Sequence, residues 1–221
     1  MSGPLALLLD FDGTVVRPDT IRLLAELGMG PLRARRMARD VDRGRLGVRE
    51  AIERMVGSVT ASREVAFGFL EAKVRLDPGF PDLLAWARGA GVEMRLVSGG
   101  LRPVIRHFLG SHADALTILA NDLVVEEEPD GGARWRVVFA EAGPTEAGKR
   151  RSVEALLAAG RPVAYVGDGA GDVEAASLVA AAGRGSAVFA RDHLAEAMRA
   201  AGLPFTPFET LHDVRAALAA T

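Results

Sequence analysis

The spacing of hydrophobic positions changes twice along this chain. Leu5-Ala6-Leu7-Leu8-Leu9 is an apolar run without alternation, as expected of a strand covered on both faces of a parallel sheet, and it stops at Asp10-Phe11-Asp12-Gly13-Thr14. From Val16 to Leu76 the spacing is helical. Asp19 or Thr20 caps a helix carrying Ile21, Leu24 and Leu27, closed by Gly28, and Pro31 opens a second helix that runs through Arg33, Arg35, Arg36 and Arg39 toward Gly44. Val48, Ile52, Met55 and Val56 mark a third helix. A fourth follows Ser62 with Val65, Phe69 and Ala72 as its stripe. No strand pattern interrupts these helices, and Asp77-Pro78-Gly79 punctuates their end. The expectation is a helical unit, residues 17–77, inserted after the first strand into a core made of residues 1–16 and 78–221.

From Phe80 helix and strand alternate. A helix with Leu83, Leu84 and Ala87 precedes the strand Val92–Val97, which runs into a Ser98-Gly99-Gly100 loop. A helix over 103–109 leads to a short strand over 116–120. Leu123-Val124-Val125 and Trp135 to Phe139 then flank Pro129-Asp130-Gly131-Gly132 as a small β-hairpin. A helix through Val153, Leu156 and Leu157 carries Lys149 near its start, and Val163 to Val166 is a strand ending at Gly167-Asp168-Gly169-Ala170-Gly171-Asp172. Ala187-Val188-Phe189 is a further strand, and Thr210 with Asp213 forms a capping box for the last helix. This alternation predicts an α/β fold with a doubly wound parallel sheet.

Composition narrows the function. An apolar content of 49% over 221 residues suffices for a sizeable core. A net charge of −2 offers no basic field for nucleic acid. No stretch approaches a membrane span, and the first apolar run lacks a basic lead and ends in Asp, so a cytoplasmic protein without membrane partners is expected. The absence of Cys removes disulfides, thiolate metal sites and cysteine nucleophiles. Of 27 Lys and Arg residues only Lys73 and Lys149 are Lys, which singles out each of them.

Three predicted strands end in polar or Gly-rich loops, and in an open parallel sheet such loops meet at the ligand crevice. Asp10, Asp12, Asp168 and Asp172 are then expected to crowd one small volume. Period-two geometry points Asp10 and Asp12 the same way, which is tolerable with a cation between them or a proton on one. An all-oxygen cluster suits Mg2+. Ser98, the amides of Gly99 and Gly100, and Lys149 offer donors and positive charge to a phosphate beside it.

Asp10-Phe11-Asp12-Gly13-Thr14, Ser98, Lys149 and Gly167 through Asp172 resemble the four ordered motifs of haloacid dehalogenase superfamily phosphatases, and the helical insert resembles their C1-type cap. The resemblance implies an HAD-like Rossmannoid core and aspartyl-phosphate chemistry on a small phosphorylated metabolite. Asp10 is then the nucleophile, and Asp12 the general acid and later base. Mg2+ is held by Asp10, the Asp12 carbonyl and Asp168 with Asp172 in support, and Ser98 and Lys149 neutralise the phosphoryl group. Two branches are similar. One is phosphoserine phosphatase, through Ser98-Gly99-Gly100, the Ala120-Asn121-Asp122 corner and the hairpin. The other is the 2-hydroxy-3-keto-5-methylthiopentenyl-1-phosphate phosphatase, through Asp172 to Ala176 and Phe189-Ala190-Arg191-Asp192. Asp19 stands where serine phosphatases carry Glu, and Gly171 where they carry Asn, so weak activity on phosphoserine is expected.

Asp19 and Arg54 are candidates for substrate contact from the insert, Asp19 otherwise being a helix cap. The Arg33 to Arg39 face reads as solvated, and the four His residues show no metal-ligand spacing. A phosphomutase or phosphotransferase using the same intermediate is the enzyme alternative. A binding protein that has lost turnover is the alternative from another class. The metabolite and the oligomeric state stay open at this level.

Overall fold

The computed structural model describes residues 3–140, 146–183 and 185–220. Strand β1 (Ala6–Leu9) leads through a turn to the two-residue strand β2 (Val16–Arg17). Four helices follow: α1 (Thr20–Met29), α2 (Pro31–Asp42), α3 (Val48–Gly57) and α4 (Arg63–Lys73). Strand β3 (Arg75–Leu76) then returns antiparallel to β2, with Val16 opposite Leu76. The insert therefore hangs on a short two-stranded neck, so it follows β2 rather than the first strand directly. Two residues per strand carry no readable alternation, and only the pairing reveals them.

The core continues with α5 (Phe80–Gly89), β4 (Glu93–Leu101), α6 (Arg102–Leu109), β5 (Thr117–Glu127) and β6 (Ala133–Val138). After α7 (Glu146–Ala158) come β7 (Val163–Gly167), α8 (Val173–Ala182), β8 (Ala187–Ala190), α9 (Asp192–Ala200), β9 (Thr206–Pro207) and α10 (Leu211–Ala219). The strands form one seven-stranded sheet in the order β6-β5-β4-β1-β7-β8-β9. All neighbours are parallel except β5 and β6, so the sheet is mixed and mostly parallel. The chain first builds outward from β1 to one side and then crosses to the other. Ligand crevices lie at the carboxyl end of such a reversal.

Both faces of β1 are buried, which explains its unbroken apolar run. Leu7 and Leu9 join the core under α5, α6 and α10, while Ala6 and Leu8 pack with Val153, Ala175 and Met198 of α7, α8 and α9. At roughly 25 cal/mol per Å2 of apolar surface, each buried Leu contributes about 2 kcal/mol before entropic costs.

Several expected boundaries move. Helix α1 passes through Gly28, which lies against Ser58, and ends at Gly30 with φ 85°. Helix α4 buries Ala66, Phe67 and Leu70, whereas of the expected stripe only Phe69 packs against the core, partly buried, and Val65 is 58% exposed. Ser98-Gly99-Gly100 is the bulged end of β4, which resumes pairing at Leu101 opposite Asn121. The two short segments expected around Asn121 are one strand, β5. Thr210 and Asp213 form their capping box as expected. The hairpin also ties the insert to the core: Ala133 N donates to Thr60 O (2.8 Å) and Trp135 Nε1 to Ala61 O (2.8 Å).

Candidate active site

A cavity of about 950 Å3 opens where β1, β4 and β7 end beneath α1, α2 and α3. Its floor carries Asp10, Asp12, Ser98, Lys149, Asp168 and Asp172. Its roof is apolar, with Ile21, Val41, Val48, Ile52 and Met55 among its residues.

Asp10 directly follows β1 and is 7% exposed. Its Oδ1 accepts from Lys149 Nζ at 2.9 Å, and Lys149 also donates to Asp172 Oδ1 at 2.7 Å. Burial and the neighbouring Asp172 push the Asp10 carboxyl up to about 7, against the pull of Lys149. Burial would lower Lys149, but Asp10 and Asp172 together hold its ammonium above the ordinary value, so it stays charged.

Asp172 is fully buried and saturated by donors. Oδ1 takes Lys149 Nζ and Tyr165 OH (2.7 Å), and Oδ2 takes the amides of Asp168 (3.1 Å) and Gly169 (2.9 Å). Asp172 thus fixes the loop that presents Asp168. Thr14 Oγ1 donates to Asp168 Oδ1 at 2.7 Å, and burial, Asp10 and Asp172 all raise the Asp168 carboxyl. One carboxylate oxygen from each of Asp10, Asp168 and Asp172 lies within 4.8 Å of the others, an all-oxygen group consistent with a metal site.

The Asp12 carboxylate stands outside that group, which leaves its main-chain carbonyl for the cation, and of the two ways of relieving the pair it fits the proton on one carboxyl. Strand β1 ends at Leu9, and the Phe11 carbonyl accepts from the amides of Thr14, Val15 and Val16, so a turn replaces strand alternation here. Asp12 Oδ1 instead accepts from Thr20 N at the start of α1 (2.7 Å), while Oδ2 is buried without a partner. Burial, then Asp19, raises the Asp12 carboxyl well above its ordinary value.

The glycines in these loops have steric work. Gly13 has φ 80°, and a Cβ there would meet Asp168 Oδ2 at 2.1 Å. A Cβ on Gly100 would meet Asp12 Oδ2 at 2.6 Å. The Gly100 amide, expected to face a phosphate, donates to Ser98 Oγ at 3.0 Å, and the Gly99 carbonyl accepts from Asn121 Nδ2 at 2.7 Å. Ser98, Gly99 and Gly100 all line the cavity.

Asp19 lines the cavity and also caps α1, accepting from Arg22 N at 2.7 Å, so the two readings of this residue coexist. Arg54 does not reach the cavity. It lies on the outer side of α3, 58% exposed and paired with Glu50 at 2.5 Å, one helical turn away. Arg17, Arg22 and Arg75 line the cavity in its place. Sequence reasoning also missed the part played by Arg191, 6% exposed, which donates to the carbonyls of Gly13, Thr14 (3.0 Å) and Glu209 (2.8 Å) and so clamps the turn after Asp12. Its sequence signals were its place just after a strand end and its membership of the Phe189-Ala190-Arg191-Asp192 motif, neither of which shows what it holds.

Residues 7–177 match the haloacid dehalogenase-like hydrolase family. Polyol phosphate phosphatase PYP1 of Saccharomyces cerevisiae is 30% identical over 225 residues, covering 95% of this chain and 90% of that protein. A 2-hydroxy-3-keto-5-methylthiopentenyl-1-phosphate phosphatase of Exiguobacterium sibiricum is 27% identical, covering 94% and 93%. The solved structure of a phospho-aspartyl intermediate analogue of phosphoserine phosphatase shares the fold, with a TM-score of 0.71 at 18% identity over 97% of this chain and 98% of that one. The chain belongs to the haloacid dehalogenase-like hydrolases. Within that family it is a phosphatase, a phosphoric monoester hydrolase.

Proposed function

We propose that the chain is a Mg2+-dependent phosphomonoesterase that passes the phosphoryl group of a small metabolite through Asp10. The observation that carries this reading is the Asp10 carboxylate at the cavity floor, ion-paired to Lys149 and grouped with Asp168 and Asp172. Asp10 attacks phosphorus and the bond to the leaving oxygen breaks as Asp12 protonates that oxygen. Asp12 then takes a proton from water, which attacks phosphorus, breaks the bond to Asp10 and releases phosphate. Lys149 and Ser98 hold the phosphoryl oxygens, and the buried setting strengthens each such interaction. Asp10, Asp168 and the Asp12 main-chain carbonyl would hold Mg2+, with Asp172 supporting Asp168 from behind. Bound there, the ion supplies positive charge that orients and neutralises phosphoryl oxygens. The same reading divides the chain into a core of 1–16 and 78–221 and a cap of 17–77.

The apolar side chains of the roof favour an uncharged or hydroxylated leaving group over serine. The polyol phosphate and hydroxy-keto phosphate named for the two relatives are of that kind. A panel of phosphorylated metabolites tests the preference, and phosphoserine emerging as the best substrate overturns it. Hydrolysis of an aryl phosphate with Mg2+, lost in chelator and regained on adding Mg2+, tests the chemistry. Full turnover in chelator overturns metal dependence.

The acidic floor also sets a pH dependence of stability. Burial raises Asp10 from 3.8 to about 7, so between those values the folded chain binds more protons than the unfolded one. Metal-free protein therefore loses stability as pH rises through that window. Asp10 alone accounts for about 2 kcal/mol between pH 5.5 and pH 8, roughly 4–8 °C in Tm for a chain of this size. Mg2+ should then raise Tm more at pH 8 than at pH 5.5. Calorimetry in chelator and in Mg2+ checks this, and a metal-free Tm that rises over the window contradicts it.

A further inference from the structure

Among the described residues four buried side-chain atoms have no hydrogen-bond partner: Asp12 Oδ2, Thr20 Oγ1, Arg22 Nε and Asn121 Oδ1. Three of the four lie on Asp12 and the first turn of α1, and Asp12 and Arg22 both line the cavity. Orphaned groups of this kind are costly unless a ligand or water completes them.

The cations around the cavity differ in what already occupies them. Lys149 is held by Asp10 and Asp172. Arg17 is held by Asp192 (2.9 Å) and the Gly13 carbonyl (3.2 Å). Arg75 donates to the carbonyls of Glu71, Ala72 and Val74 at the end of α4. Arg22 has Glu26 at 3.9 Å and the nearby charge of Asp19, but among the described residues its Nε has no hydrogen-bond partner, and its side chain is 43% exposed. Its own amide donates to Asp19 Oδ1, which seats the Asp19 carboxyl beside it.

We propose that Arg22, with Asp19, is a specificity-determining pair that binds an uncharged oxygen of the leaving group near the ester, so that the substrates are phosphate monoesters of vicinal diols or hydroxy ketones. A hydroxyl accepts from Arg22, giving it the partner it lacks, and donates to Asp19. A carboxylate accepts from Arg22 but has no proton to give Asp19, and an ammonium donates to Asp19 but cannot accept from Arg22, whereas one hydroxyl does both. The carbon chain beyond lies against Ile21, Val48, Ile52 and Met55, which need no polar partner.

The inference rests on the phosphatase reading above, and the experiment keeps the two apart. Wild-type enzyme with Mg2+ is assayed on propane-1,2-diol 1-phosphate, n-propyl phosphate and phosphoserine. A site built to bond a hydroxyl rejects the analogue lacking it, so kcat/KM for the diol ester should exceed that for the propyl ester at least tenfold or so. Arg22→Met should lose about tenfold or more on the diol ester, chiefly in KM, and less on the propyl ester, so that the ratio collapses toward one. Arg22→Lys keeps the charge and should regain part of the preference. Equal wild-type activity on the diol and propyl esters, a ratio unchanged in both variants, or phosphoserine exceeding the diol ester each overturns the assignment. If wild-type enzyme hydrolyses none of these esters nor an aryl phosphate, the phosphatase reading falls, and this one with it.

Discussion

Asp10→Asn is expected to abolish turnover while leaving the metal-free protein folded and, at pH 8, more stable than wild type. The amide is nearly isosteric with the carboxylate but cannot attack phosphorus, so loss of about 10³-fold or more in kcat is expected for every ester. The gain in stability follows from the same burial that readies the site. Asp10 titrates near 7 when folded and near 3.8 when not, so above pH 7 the folded state carries an ionised group that burial disfavours. A neutral side chain removes that penalty and flattens the fall in Tm between pH 5.5 and pH 8. Lys149 keeps Asp172 at 2.7 Å and is not stranded. Steady-state rates and melting curves in chelator measure both effects, after mass analysis has excluded deamidation back to Asp. Turnover within tenfold of wild type removes Asp10 from the role of nucleophile.

The core of this site was legible because its residues close successive strands. Asp10, Ser98 and Asp168 each stand at or near the end of an apolar stretch, and parallel strand ends meet. Lys149 stood out by composition, and its position one turn into α7 carries it to Asp10 and Asp172. The orientation of Asp12 was not legible. Alternation holds only while a strand lasts, and β1 stops before Asp10, so Asp12 turns toward Thr20 rather than beside its neighbour. Gly100 reads equally as donor or spacer until the approach of Asp12 is known.

The insert was harder. Helical spacing located all four of its helices, yet which of its arginines faces the cavity depends on how those helices rest on the core, a quantity that amphipathicity constrains only to a broad stripe. Arg54 and Arg22 sit on α3 and α1 with equal claims in the sequence. Packing directs Ile52 and Met55 of α3 inward, which sends Arg54 out to Glu50. In α1 it is the cap at Asp19, set by the turn after β1, that places Arg22 at the cavity edge. The pair β2 and β3 and the clamp of Arg191 on Gly13 and Thr14 depend on partners 58 and 177 residues away or more, and no local pattern encodes them.

Replacing Asp12 with Asn should slow alkyl phosphate hydrolysis by about 10² to 10⁴ while retaining the fold. Asn keeps an oxygen for the Thr20 amide, whereas Ala would also leave that amide unpaired, at about 1 kcal/mol. What Asn loses is the proton. Burial and Asp19 hold the Asp12 carboxyl well above its ordinary value, which favours the protonated form a general acid needs. On the proposed mechanism its unpartnered Oδ2 would give that proton to the leaving oxygen. An aryl ester has a leaving group that needs no acid, so its first step should suffer little. Its second step still lacks the base that activates water, and the phosphorylated enzyme should accumulate. Rapid-quench assays on both esters therefore predict a slow first step with the alkyl ester, and a burst of aryl alcohol followed by slow turnover with the aryl ester. Alkyl turnover within tenfold of wild type, with no burst from the aryl ester, would remove Asp12 from proton transfer and leave it as the acceptor for the Thr20 amide.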